Sequence, residues 1–161
     1  MDLAIQSGIS GDSPTAEADA PPRSVTILGA TGSIGCSTVD ILAHHPNAFR
    51  AEVLTANRNV DLLAKQARDL GAKRAVIGDD GKYADLKSAL AGTGIEAAAG
   101  TAAIAEAGDQ PADIVVAGIV GAAGLKPVLN AVRRGGTVAF ANKECLVSAG
   151  DLMGREGEAA G

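Results

Sequence analysis

Three glycines at regular spacing can cradle a phosphate. They stand in Gly29-Ala30-Thr31-Gly32-Ser33-Ile34-Gly35. Ahead of them, Ser24-Val25-Thr26-Ile27-Leu28 is a short β-branched run that reads as a buried strand. Behind them, Cys36 to Ala43 reads as a helix with Ile34, Val39, Ile41 and Leu42 as its apolar positions. Strand, glycine turn and helix in that order form a dinucleotide-binding pattern, spaced G-x-x-G-x-x-G in place of the usual G-x-G-x-x-G. Gly29 then permits the tight turn, Gly32 lets the backbone approach a pyrophosphate, and Gly35 lets the helix pack close to the strand. The N–H groups of Thr31, Gly32, Ser33 and Ile34 would face phosphate oxygens, with the positive end of the helix dipole behind them. The alternative is a glycine-rich turn without a ligand.

Further candidates lie where later strands end. Asn57-Arg58-Asn59 follows the second strand, where an NAD-specific domain would place an acid for the ribose 2′-OH. Glu52 has roughly that offset but falls early in the strand, at the wrong end. Arg58 can pair bidentately with a 2′-phosphate, which favours NADP over NAD. Gly118-Ile119-Val120-Gly121-Ala122-Ala123-Gly124 is a second glycine-rich junction, either lining the nicotinamide side of the cleft or simply a tight turn. Asn142-Lys143-Glu144 offers an amide for a carboxamide and a point charge for a phosphate or carbonyl. It reads equally as an N-cap with a surface ion pair. His44-His45 and Arg133-Arg134 sit at helix C-termini and match the dipole. No G-x-S-x-G or Walker lysine motif supports a hydrolase or P-loop reading.

The elements that must position these residues alternate along the chain. Strands are expected at Ser24–Leu28, Arg50–Ala56, Arg74–Ile77, Ile95–Ala99, Asp113–Ala117 and Thr137–Ala141. Helices are expected from the glycine turn to His44, then at Val60–Leu70, Tyr83–Leu90, Ala102–Ala107 and Leu125–Arg134, with a last one from Lys143. Repeated β-α units with short loops predict an α/β fold, a Rossmann-like doubly wound parallel sheet with helices on both faces. Composition agrees. The 161 residues are 47% hydrophobic but 2% aromatic, which suits a Val/Ile/Leu/Ala core between parallel strands and helices. The net charge of −5 and pI near 4.9 argue against nucleic acid. No apolar run approaches a membrane span. Cys36 and Cys145 have no metal-ligand spacing and read as packing residues of a reducing compartment. Residues 1–22 carry four acids and no Lys or Arg, and read as a disordered tail unlike a signal or transit peptide. Residues 23–161 then form one domain, in the cytoplasm.

With these segments in hand, the sequence resembles the N-terminal, NADPH-binding part of 1-deoxy-D-xylulose 5-phosphate reductoisomerase from about Ser24 to Gly150. The resemblance rests on Ile27 to Thr38, Ile119 to Leu125, and Ala141-Asn142-Lys143-Glu144. It implies conversion of 1-deoxy-D-xylulose 5-phosphate to 2-C-methyl-D-erythritol 4-phosphate for isoprenoid synthesis, by a metal-assisted rearrangement and hydride transfer from NADPH. It places Thr31, Gly32, Ser33 and Ile34 on the pyrophosphate. Asn57, Arg58 and Asn59 fall at the adenosine end, Asn142 and Glu144 on the cofactor, and Lys143 on the substrate. Asn57 stands where many members carry glycine, and Cys145 where serine is frequent. The family's divalent metal, Mg or Mn, is held by ligands expected beyond Gly161. The chain therefore reads as a fragment that binds NADPH without turnover, of an enzyme whose complete form is a homodimer. Two other readings share the glycine turn: an NADP-linked semialdehyde or sugar dehydrogenase domain, and a non-catalytic NADPH-sensing module.

Overall fold

The computed structural model describes residues 20–119 and 124–140. β1 (Arg23–Leu28) leads into α1 (Ser33–His44), then β2 (Phe49–Ala56), α2 (Val60–Leu70) and β3 (Arg74–Ile77). A 3-10 turn (Asp80–Lys82) precedes α3 (Tyr83–Ala89), β4 (Glu96–Ala99), α4 (Thr101–Asp109), β5 (Ile114–Ala117), α5 (Leu125–Arg134) and β6 (Thr137–Phe140). Most of the expected 1–22 tail and the helix expected from Lys143 lie outside the described residues.

The six strands form one sheet in the order β4-β3-β2-β1-β5-β6. Every neighbouring pair is parallel, as the β-α alternation predicts. The chain builds outward from β1 to β4, then returns to lay β5 against the other side of β1. The order reverses there, between β1 and β5, and such a reversal opens a crevice at the strand C-termini.

Helices cover both faces. Val25, Ile27, Leu54 and Ile77 form one core with Leu42 of α1, Leu63 and Ala67 of α2, and Leu86 of α3. Leu28, Val53, Val76 and Val115 form the other with Ala103 and Ala107 of α4 and Val128 and Val132 of α5. The register of β1 against β2 shifts between Val25 and Ile27, so β2 carries one extra residue and Ala51 and Leu54 share a face. Each fully buried aliphatic side chain here, such as Ile27, Leu54 or Leu63, contributes about 1.5–3 kcal/mol.

One apolar stripe departs from expectation. Ile34 and Ile41 of α1 are 47% and 52% exposed. Val39 and Leu42 turn inward as expected, joined by Gly35. The reason is Gly35. A Cβ there would lie 2.1 Å from the Gly29 carbonyl oxygen, so the helix seats its glycine face on the turn, one residue (about 100°) away from the isoleucine stripe.

Candidate dinucleotide-binding site

The glycine turn lies where β1 ends, beside β5. Gly29 has φ +88, a conformation that favours glycine. Its N–H donates to Thr55 Oγ1 at 2.9 Å, and the next N–H, of Ala30, donates to the Thr55 carbonyl at 2.7 Å. A buried threonine of β2 thus fixes both residues that open the turn. Gly118, just past β5, donates its N–H to the Leu28 carbonyl at 2.8 Å. A Cβ on Gly29 would meet the Gly118 carbonyl carbon at 2.9 Å. The two glycine junctions read from the sequence therefore touch. The first part of the second one, Gly118 and Ile119, shares the cleft with Gly29, Thr31 and Gly32.

That cleft encloses about 360 Å³. Its remaining lining comes from Thr55, Ala56 and Asn57 after β2, Gly78 after β3, and Thr101 and Ile104 after β4. Gly78, Thr101 and Ile104 were not legible as site residues. Gly78 and Thr101 nonetheless lie at strand C-termini, just past β3 and β4, where ligands of such sheets gather. None of the lining residues among those described is charged. A phosphate entering here meets the N-terminus of α1, whose N-cap is Gly32, with no side-chain cap and no acid in the first turn. The Gly32 N–H itself donates to the Gly29 carbonyl at 3.3 Å, and Ser33 and Ile34 are exposed at the start of α1, outside the cleft lining. The first N–H groups of a helix lack intrahelical acceptors, and this end is left open to an anion.

The loop Asn57-Arg58-Asn59 straddles two surfaces. Asn57 lines the main cleft, and a Cβ on Gly78 would sit 3.1 Å from its Oδ1. No described non-glycine residue has positive φ, so Asn57 holds this loop without the freedom of glycine. Arg58 and Asn59 line a neighbouring groove with Lys82. Arg58 Nε donates to Asp79 Oδ2 at 3.0 Å while its side chain stays 74% exposed. This bond, with a second from the Gly81 N–H, holds the Asp79 carboxyl below its ordinary value. Asn59 Oδ1 accepts the Leu62 N–H at 3.2 Å as the α2 N-cap, so its oxygen is committed to the helix. Glu52 pairs with Lys73 at 2.9 Å and Arg50 at 3.2 Å, away from the cleft as expected. His44 Nδ1 contacts the Asp40 carbonyl at 2.8 Å near the end of α1.

Val120–Ala123, Asn142, Lys143, Glu144 and Cys145 lie outside the described residues. Among the described residues no group of three or more His, Cys, Asp or Glu is arranged to hold a metal, and no helix is long and apolar enough to cross a membrane.

The family model for 1-deoxy-D-xylulose 5-phosphate reductoisomerase matches residues 25–150. The chain belongs to this family. The 1-deoxy-D-xylulose 5-phosphate reductoisomerase of Rhodospirillum centenum is 60% identical over 131 residues, 81% of this chain and 33% of its own length. The reductoisomerase of Zymomonas mobilis, solved in complex with NADPH, superposes with a TM-score of 0.85 at 54% identity, covering 86% of this chain and 37% of that one. A crystal structure of DOX-P reductoisomerase with NADPH, fosmidomycin and magnesium gives 0.81 at 39% identity, over 86% and 35%. The resemblance read from the glycine turn and its companion segments is borne out, as is the Rossmann-like fold. The chain spans about one third of the length of the reductoisomerases it matches.

Proposed function

We propose that this chain is the NADPH-binding part of a 1-deoxy-D-xylulose 5-phosphate reductoisomerase. The observation that carries the reading is the meeting of two glycine turns at the β1/β5 reversal, over an uncharged cleft that ends on the open N-terminus of α1. Those residues fit a dinucleotide. Thr31, Gly32, Ser33 and Ile34 would hold the pyrophosphate. Asn57 would line the adenosine end, Arg58 would meet the 2′-phosphate, and Asn59 would fix the loop between them by capping α2. In the complete enzyme the bound dinucleotide supplies a hydride. The residues of this chain would bind and orient it, with Gly118 and Ile119 lining the β5 side of the cleft. By the family resemblance, Asn142 and Glu144 contact the cofactor and Lys143 the sugar phosphate, 1-deoxy-D-xylulose 5-phosphate, which becomes 2-C-methyl-D-erythritol 4-phosphate. The divalent metal finds no fitting group among the described residues. The complete enzyme is read as a cytoplasmic homodimer.

A fluorescence titration of the purified 161-residue chain with NADPH and then NADH tests the proposal. Saturable binding that prefers NADPH is expected, without NADPH oxidation when substrate is added. Arg58→Ala should weaken NADPH about tenfold or more, the scale of a charge-assisted phosphate contact, and leave NADH nearly unchanged. Equal affinity for both cofactors in the parent chain would overturn the Arg58 assignment. Binding of neither would overturn the cofactor reading.

A further inference from the structure

One polar side chain is buried where the pattern of α2 calls for an aliphatic one. Gln66 is 5% exposed, on the helix face that also buries Leu63, Ala64 and Ala67. Its Nε2 donates to the Ala30 carbonyl at 2.9 Å and reaches Cys36 Sγ at 3.7 Å. The partner is a carbonyl oxygen, so the amide must present its nitrogen there. Its Oε1 is buried without a partner. An orphaned acceptor costs free energy that a methionine of similar size would not. The Ala30 contact is what that cost secures.

We propose that Gln66 is a positioning residue for the cofactor's pyrophosphate. The inference rests on the NADPH reading and names how the turn is held. Carbonyl oxygens in a phosphate-binding turn repel the ligand, whereas N–H groups attract it. Gln66 engages the Ala30 carbonyl, and Cys36 Sγ donates to the Thr31 carbonyl at 3.6 Å. Both oxygens are drawn toward α1 and α2, while Thr31 and Gly32 line the cleft. Ala30 is thereby held at both ends, its N–H on Thr55 and its carbonyl on Gln66. Gln66 lies seven residues after the N-cap Asn59, about two turns along α2. One helix therefore runs from the 2′-phosphate loop to the pyrophosphate turn.

The test uses the 161-residue chain with Gln66→Met and Gln66→Leu, each of which fills the buried site and removes the donor. NADPH affinity is read by fluorescence, and bound NADP+ is observed by phosphorus NMR, which resolves the pyrophosphate from the 2′-phosphate. Both variants should bind NADPH at least tenfold more weakly. Their pyrophosphate resonances should move from the parent's bound positions while the 2′-phosphate resonance stays. An affinity within twofold of the parent in a variant that still melts cooperatively would overturn the assignment. So would parallel movement of all three phosphorus signals, the mark of a general loosening. If the parent chain itself binds no NADPH, the cofactor reading falls and this inference with it. Normal binding by the parent with unchanged variants removes only the role of Gln66.

Discussion

A methyl group at position 35 has nowhere to go. It would sit 2.1 Å from the Gly29 carbonyl oxygen and 2.5 Å from the Ala30 carbonyl carbon, and both are backbone atoms that cannot swing aside. At position 32 the same methyl would find its nearest neighbour, again the Gly29 oxygen, at an ordinary 3.7 Å. The two glycines therefore differ: packing of helix on turn requires the one at 35, whereas the one at 32 is free of that demand, in keeping with the ligand approach proposed for it. Gly35→Ala should cost about 1–3 kcal/mol or more, as overpacking does, and lose NADPH binding with it. Gly32→Ala should cost about 0.5–1 kcal/mol, the usual loss for a poorer N-cap, yet still weaken NADPH severalfold. Thermal melts and titrations on the two variants check the pair. Equal stability loss in both would mean that the turn is not shaped by the contact at Gly35.

At the scale of elements, α2 shows where a sequence speaks plainly. Asn59 accepts the Leu62 N–H, and Gly71 closes the helix at φ +63 with its N–H on Ala67 and Arg68. Both ends are written in single residues of known preference, and the boundaries Val60 and Leu70 follow. Asn59→Ala should lower stability by about 1 kcal/mol, a drop of about 2–4 °C in melting temperature for a domain of this size. It should also weaken NADPH by loosening the loop that carries Arg58. An unchanged melt would show that the cap contributes nothing. α1 is less legible because its inward face is set partly by a glycine, which carries no hydrophobic signal, so apolar pattern alone does not separate Ile34 and Ile41 from Val39 and Leu42. The cleft residues after β3 and β4 were hidden for a related reason. Gly78 and Thr101 are unremarkable one at a time and acquire meaning only when the sheet sets their strands beside β2. The same holds for Gln66 and for Asp79, whose partners Ala30 and Arg58 lie 36 and 21 residues away in sequence.

For the whole molecule, the β1/β5 junction is the line on which the fold and the site both depend, and it is tied at its two ends. Above, the Gly118 N–H reaches the Leu28 carbonyl. Below, Asp113 accepts the Ser24 N–H at 2.8 Å and the Ser24 hydroxyl at 3.2 Å, and its own N–H donates to that hydroxyl at 2.9 Å. The Ser24 N–H first, and the hydroxyl second, hold the Asp113 carboxyl below its ordinary value. A carboxyl depressed in the folded state binds fewer protons there than in the unfolded chain at mildly acid pH. Its contribution is therefore full above the unfolded value, about 3.9, and is lost as pH falls through the folded one. Asp79 acts in the same direction through Arg58, so acid should loosen the base of the junction and the loop that carries Arg58 together. The urea midpoint of the chain should hold steady from neutral pH to about pH 5 and then decline. Asp113→Asn keeps an oxygen for the Ser24 N–H but no longer titrates, so its decline should be shallower than the parent's. Superimposable acid limbs for the two proteins would place the acid sensitivity elsewhere than at the β1/β5 base.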